Sequence, residues 1–71
     1  MNAIVIRGVQ SGMIHGVAED ITKARDMIIY MGIVDETIDC AFDLTEFEDG
    51  LVVDSWTFVP EVDDMPLNKE F

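Results

Sequence analysis

Residues 37–59 read TIDCAFDLTEFEDGLVVDSWTFV, a pattern typical of two β-strands joined by a tight turn. Apolar and polar side chains alternate in each half, as they do in strands that bury one face. The alternation predicts a core-facing side formed by Ile38, Cys40, Phe42, Leu44, Val52, Trp56 and Phe58.

The turn between the two strands contains Glu48-Asp49-Gly50. A two-residue Asp49-Gly50 turn would pair even-numbered with odd-numbered residues and would put the aromatic residues of the two strands on opposite faces. A three-residue loop with Gly50 as a left-handed bulge keeps them on one face. Because register follows the buried pattern, we predict the three-residue loop.

Two further strands and a helix are predicted upstream. Residues 3–9 (AIVIRGV) are rich in β-branched side chains, which indicates a strand, whereas the glycines within residues 10–18 leave a second strand and a loop both open. Residues 19–31 fit a helix, with Glu19 and Asp20 in its first turn and Gly32 just after its end.

These elements predict an α+β fold with a three- or four-stranded antiparallel sheet and one helix packed on one face. We expect residues 1–59 to form a single domain and residues 60–71 to form an acidic extended tail, because the alternating pattern stops at Pro60. A chain of 71 residues has a small core, since such chains bury only about 60% of their surface on folding.

Catalytic and metal-binding patterns are absent from the sequence. His15 and Cys40 are the only residues of their kinds, and the expected burial of Cys40 argues against a nucleophile. The acidic residues around Gly50 lack the spacing of a calcium loop, and zinc sites need Cys or His clusters. We predict that the protein is not an enzyme and has no cofactor or metal.

Cellular location is predicted from what the sequence lacks. There is no apolar run of bilayer length and no signal-peptide pattern, and the single cysteine suits a reducing compartment. We expect a cytoplasmic protein.

Negative charge is concentrated in one part of the chain. Residues 26–68 contain twelve carboxylates and no Lys or Arg, within a chain of formal net charge −11. Such a charge repels nucleic acid and anionic membranes, and it destabilises a compact state. One interpretation is a solvated face that aids solubility. The other is that the charge attracts a strongly basic surface, most commonly that of a DNA-binding protein.

Strand geometry favours the second interpretation. Residues two apart on a strand face are separated by about 6.6 Å, and a DNA strand presents a phosphate every ~3.4 Å. Rows of carboxylates could therefore imitate a duplex backbone, because Arg and Lys bind both groups through charge-assisted hydrogen bonds. The predicted partner-binding residues are Asp35, Glu36, Asp39, Asp43, Glu46, Glu48, Asp49, Asp54, Glu61, Asp63 and Asp64.

Apolar side chains outside the predicted core indicate self-association. Leu51, Val53 and Val59 fall on the other sheet face, and Ile29 and Tyr30 widen the apolar surface of the helix. Together they exceed what one small core needs. We therefore predict a homodimer that uses these five residues.

In length, charge and compact character the whole chain resembles the small acidic DNA-mimic proteins of bacteriophages. Within that group, the inhibitors of the nucleoid protein HU are similar in size and charge. The resemblance implies a non-catalytic homodimer that occupies the DNA-binding surface of HU in the host cytoplasm or nucleoid. No sequence motif supports it, so mimics that block a uracil-DNA glycosylase, a restriction enzyme, a CRISPR effector or RNA polymerase stay open as alternatives.

A different function is also compatible with the sequence. A small acidic assembly or interaction module would bind its partner through the apolar end of the helix, formed by Ile28, Ile29, Tyr30 and Met31. The two hypotheses differ in salt response, because salt weakens contacts between charges and not contacts between apolar groups.

Overall fold

The structure, a computed structural model that describes residues 2–60, is a four-stranded antiparallel sheet with one helix packed on one face. The predicted fold class is confirmed. The elements in chain order are β1 (Asn2–Gly8), β2 (Ile14–Ala18), α1 (Ile21–Ile29), a 3₁₀ helix (Ile33–Glu36), β3 (Phe42–Glu48) and β4 (Leu51–Phe58). The strand order is β2-β1-β3-β4. Most of the predicted tail lies outside the described residues.

Residues 10–18, which the sequence left open between strand and loop, contain both. A turn follows β1, and β2 then begins at Ile14 and pairs antiparallel with β1. The register shifts between Ile6 and Arg7, which leaves His15 as an extra residue in β2. This bulge lets the short strand turn His15 toward Phe42, whose ring it meets edge to face at 5.8 Å.

The helix is shorter than predicted at both ends. Asp20 has an extended backbone and caps α1 by accepting a hydrogen bond of 2.7 Å from the backbone N–H of Lys23. At the other end Tyr30 is the C-cap residue of α1. Gly32 has a left-handed backbone conformation and is the N-cap residue of the 3₁₀ helix. Neither helix in the described part of the chain has the length and apolarity needed to cross a bilayer.

The core lies between α1 and the sheet face that it covers. Its buried side chains are Ile4, Ile6, Ala18, Ala24, Ile28, Phe42, Leu44 and Phe58. Trp56 and Ile29 pack against this cluster and are partly buried. The opposite face of the sheet has no helix on it among residues 2–60.

The turn between β3 and β4 differs from the prediction. Asp49 and Gly50 have φ angles of 53° and 86°, the signature of a two-residue type I′ turn, so the predicted three-residue loop is wrong. The expected shared face of the aromatic residues is nevertheless present, because Phe42 pairs with Phe58. Both the two-residue turn and the shared aromatic face are possible because β4 contains a bulge.

The bulge adds one residue to β4 near the turn. Phe47 pairs with Val52 and Glu46 pairs with Asp54, so Val53 has no partner on β3. Because of the extra residue, the even-numbered side chains of β4 before the bulge and those after it lie on opposite faces of the sheet. Val52, predicted to face the core, instead shares the outer face with Phe47 and is 60% exposed.

Deletion of Val53 should unfold the protein. Without the extra residue, the two-residue turn would carry Trp56 and Phe58 to the solvent face of the sheet. Far-UV circular dichroism and thermal melting should show loss of the cooperative transition. Val53→Ala keeps the residue count and should melt within about 3 °C of the wild type, because surface changes cost little. A deletion variant that melts like the wild type would contradict the assigned role of the bulge.

Candidate functional site

Six carboxylates lie at the end of the sheet that carries the Asp49-Gly50 turn. Three antiparallel pairings, β2 with β1, β1 with β3 and β3 with β4, bring these residues to one end of the sheet. Ile4 of β1, for example, pairs with both Ala18 on β2 and Glu46 on β3. The end of β2 and the start of α1 therefore adjoin the tip of the β3–β4 hairpin. We call this surface the acidic end, and it consists of Glu19, Asp20, Glu46, Glu48, Asp49 and Asp54.

Two carboxylates of the acidic end face each other directly. Glu46 and Asp54 are cross-strand partners, so their side chains project from the same face of neighbouring strands. Like charges in this position destabilise a sheet. The Oδ1 atom of Asp54 accepts a hydrogen bond of 2.8 Å from the backbone N–H of Ser55, and Asn2 Nδ2 donates to Glu46 Oε2 at 2.7 Å.

A surface depression joins the hairpin to the start of the helix. It is lined by Asn2, Ile4, Glu19, Asp20, Ile21, Glu46 and Trp56. The lining thus combines the carboxylates of Glu19, Asp20 and Glu46 with the apolar side chains of Ile4, Ile21 and Trp56. Glu19 and Asp20 are not among the predicted partner-binding residues, because their closeness to Glu46 follows from strand order and not from chain position.

The predicted partner-binding residues do not form one surface. Glu46, Glu48, Asp49 and Asp54 belong to the acidic end, whereas Asp35 and Glu36 are exposed on the 3₁₀ helix, which follows the far end of α1. Asp43 lies on the helix-free face, where it accepts from Arg7 at 3.0 Å and from Thr57 at 3.2 Å. The predicted residues Glu61, Asp63 and Asp64 lie outside the described residues.

Asp39 was expected to be exposed, and that expectation is wrong. It is 3% exposed, the one charged residue among the buried side chains of residues 2–60. Its Oδ1 accepts from the Ser11 backbone N–H at 2.7 Å. Its Oδ2 accepts from the hydroxyls of Ser11 and Thr37, both at 2.7 Å, and lies 2.8 Å from His15 Nε2.

These hydrogen bonds determine the ionisation of Asp39. Burial opposes the charged form, but the donors from Ser11, His15 and Thr37 outweigh it and hold the pKa of Asp39 well below its ordinary value. The carboxylate also requires Gly8, because a Cβ atom at that position would meet Asp39 Oδ2. An ionised, fully bonded Asp39 therefore joins four segments of the chain.

The same cluster contains the residue types of a hydrolase triad without its geometry. In a triad the histidine accepts the serine proton and the aspartate orients the histidine. Here both the Ser11 hydroxyl and His15 Nε2 bond to the carboxylate of Asp39, so the histidine does not lie between the serine and the aspartate as it does in a triad. The hydrogen bonds of this cluster hold the surrounding backbone segments together.

Cys40 was expected in the core and is exposed instead. It lies in the loop before β3, where the backbone N–H groups of Cys40 and Ala41 donate to Gln10 Oε1. Ile38 is likewise 76% exposed, because residues 37–41 are not part of a strand. Within residues 2–60, no group of three or more His, Cys, Asp or Glu side chains is placed to hold a metal ion.

The predicted dimer residues are divided between separate parts of the surface. Leu51 and Val53 are exposed near the hairpin tip, whereas Ile29 and Tyr30 lie at the end of α1 that is away from it. Ile29 packs on the core, and Tyr30 is 71% exposed with its ring 5.6 Å from the Arg25 guanidinium. Val59 is partly buried after the end of β4.

Comparison with protein-family models, with curated proteins and with the solved structures gives no match.

Asp39→Asn should destabilise the protein strongly. An asparagine has one acceptor oxygen, and its NH₂ group would face the donors of Ser11, His15 and Thr37. We expect the melting temperature at pH 7 to fall by roughly 10 °C. Asp35→Asn, which removes the same charge from an exposed position, should change it by no more than about 3 °C.

The effect of Asp39→Asn should depend on pH. Since folding lowers the pKa of Asp39, its ionisation stabilises the folded state fully above the unfolded value of about 3.9. This contribution declines as the pH falls below that value and is lost through the folded pKa. The difference in melting temperature between wild type and Asp39→Asn should therefore be smaller at about pH 2.5 than at pH 7. A gap that stayed constant would show that Asp39 is not held as an anion.

Proposed function

We propose that the protein is a non-catalytic inhibitor that mimics DNA and occupies the DNA-binding surface of a basic protein, with HU as the first candidate. The observation that carries this proposal is the acidic end, where three strand pairings and the start of α1 bring six carboxylates together. The site of action would be the cytoplasm or nucleoid of a host cell. The resemblance to phage DNA mimics is its second support.

The energetic cost of the acidic end supports a role for its charge. Glu46 and Asp54 repel each other across the strands, and Glu48 and Asp49 add charge at the adjoining turn. A fold that needed acidity only for solubility could distribute it over separate positions. Carboxylates held on paired strands offer Lys and Arg side chains fixed acceptors, as DNA phosphates do.

Other targets of the same kind stay open under this proposal. A uracil-DNA glycosylase, a restriction enzyme, a CRISPR effector or RNA polymerase also binds DNA through basic surfaces. Capture from host lysate at low and high salt, with and without nuclease, separates them. A true target should be retained after nuclease treatment and should be released as salt rises.

The runner-up is an interaction module that binds through the apolar helix end. Of its four residues, Ile28 is fully buried and Ile29 packs against the core. Tyr30 and Met31 are exposed, at 71% and 60%. The available apolar surface is therefore about half of what the sequence suggested, and the acidic end is the better candidate.

We also propose that the protein is a homodimer, through the helix-free face of the sheet. Ile14, Val17 and Val52 are more than half exposed there, and Val5 and Phe47 are partly buried. Strand register places only Arg7 and Asp43 on this face as charged residues of the described chain, and they form an ion pair. A second copy can approach this face with little repulsion, whereas the acidic end would repel it.

Reversal of charge at the acidic end should weaken binding to HU. Glu46→Lys with Glu48→Lys should raise the dissociation constant at least about tenfold, because each exposed contact contributes up to ~1 kcal/mol and reversal adds repulsion. Slower association should account for most of the effect. A gel-shift competition with duplex DNA at low salt measures it. Folding should hold, because Glu46→Lys places an ammonium group opposite the Asp54 carboxylate and so removes a repulsion between the strands.

The matched control is Asp35→Lys with Glu36→Lys, which changes net charge equally at the other end of the molecule. It should leave HU binding within about threefold of the wild type. Equal losses in both double variants would show that net charge alone attracts the target. If the wild-type protein failed to release DNA from HU and from other basic candidates, the mimic hypothesis would be wrong.

Val17→Asp should convert the dimer to a monomer of 8.0 kDa by light scattering at micromolar concentration. Its side chain is 56% exposed on the helix-free face, so the change adds a charge there with little effect on folding. Leu51→Asp, at a position that is 71% exposed on the hairpin tip, is the control and should stay dimeric. A wild-type protein that scatters as a monomer would refute self-association.

A further inference from the structure

The two edges of the sheet are protected to different degrees. β2 has only five residues and contains a bulge at His15, which interrupts its regular edge. β4 has eight residues, and its own bulge, at Val53, lies close to the turn, so that Asp54 to Phe58 pair regularly with β3. Among the strands of residues 2–60, β4 pairs only with β3. A regular stretch at a sheet edge can accept another strand.

Hydrogen bonding shows which backbone groups of β4 face outward. The Ser55 N–H bonds to the Asp54 carboxylate at 2.8 Å and is therefore not part of the ladder with β3. Alternation along an antiparallel strand gives Thr57 the same direction. Ser55 and Thr57 thus direct their main-chain donors and acceptors away from β3, and Asp54 precedes Ser55 on the same strand.

Charge determines which strand this edge can accept. A second copy pairing through β4 would bring its own Asp54 and hairpin carboxylates against Asp54 and Glu48, placing like charges on neighbouring strands. An extended segment with Lys or Arg at alternate positions would meet these carboxylates with opposite charge. When it lies alongside β4 as a strand, its carbonyl groups can accept hydrogen bonds from the backbone N–H groups of Ser55 and Thr57.

We propose that β4 binds an extended basic segment of the partner protein, which adds to the sheet as a fifth strand. This inference rests on the proposed function and specifies how the partner is held. A basic side chain of the segment pairs with the Asp54 carboxylate, and the hydrogen bond between this carboxylate and the Ser55 N–H breaks. The Ser55 N–H then donates to a carbonyl oxygen of the segment. Main-chain pairing supplies affinity that does not depend on charge alone, and the carboxylates of the acidic end select basic side chains.

The test uses the whole protein and two short peptides that alternate Lys with Thr. One peptide is unmodified, and the other has N-methyl groups on alternate residues, which retain its charge and remove the backbone donors of one edge. The unmodified peptide should bind at least about tenfold more tightly in calorimetry, since at least two main-chain hydrogen bonds are lost in the other. In hydrogen exchange, the amides of Ser55 and Thr57 should become protected only with the unmodified peptide.

Variants locate the binding edge. Asp54→Asn retains an acceptor for the Ser55 N–H and removes the charge, so it should weaken binding of the unmodified peptide about threefold or more. Glu36→Gln, distant from β4, should leave binding unchanged, and circular dichroism confirms that both variants fold.

Three outcomes would overturn the proposal. Both peptides could bind equally, the amides of Ser55 and Thr57 could stay unprotected at saturation, or those amides could be protected without peptide in a dimer, which would assign the edge to a second copy. Each of these outcomes is compatible with release of DNA from HU, so the proposed function is judged separately by the competition assay.

Discussion

The ionised carboxylate of Asp39 is the interaction on which the arrangement of the chain depends. It receives hydrogen bonds from the β1–β2 turn, from β2 and from the loop that precedes β3, and it occupies the space above Gly8. A buried charge is tolerated only when its hydrogen bonds are complete. Because these donors come from segments far apart in sequence, the carboxylate is satisfied only when β1, β2 and β3 are all in place.

The remaining charged side chains lie outside the small core. The buried side chains are apolar except for Asp39, and Arg7 pairs with Asp43 on the helix-free face. The other carboxylates of the sheet are concentrated at the hairpin tip, beyond the last core layer, with Glu46 opposite Asp54. The sheet thus separates an end that contains one buried, hydrogen-bonded carboxylate from an end where several carboxylates lie near the surface. That separation underlies the proposed binding of a basic partner.

Much of the fold could be predicted from the sequence, because the strands of the β3–β4 hairpin and the helix have clear periods. The errors have physical causes. The alternation that predicted a strand from residue 37 continued by chance through a loop, so Asp39 and Cys40 were assigned to the wrong environments. The two-residue turn was rejected because it would place the aromatic residues of β3 and β4 on opposite faces, but the bulge at Val53 restores them to one face. Glu19 and Asp20 join the acidic end through the strand order, which no local pattern reveals. The donors to Asp39 converge only in three dimensions.

Chemical-shift mapping of the labelled protein with unlabelled HU would show whether HU binds at the acidic end, because it reports the contact surface residue by residue. We expect shifts that are concentrated at the acidic end and along β4 and that diminish with added salt. The amides of Ser11 and of the 3₁₀ helix should stay unchanged. Shifts concentrated around Tyr30, Met31 and the 3₁₀ helix, or no shifts at low salt, would contradict this expectation.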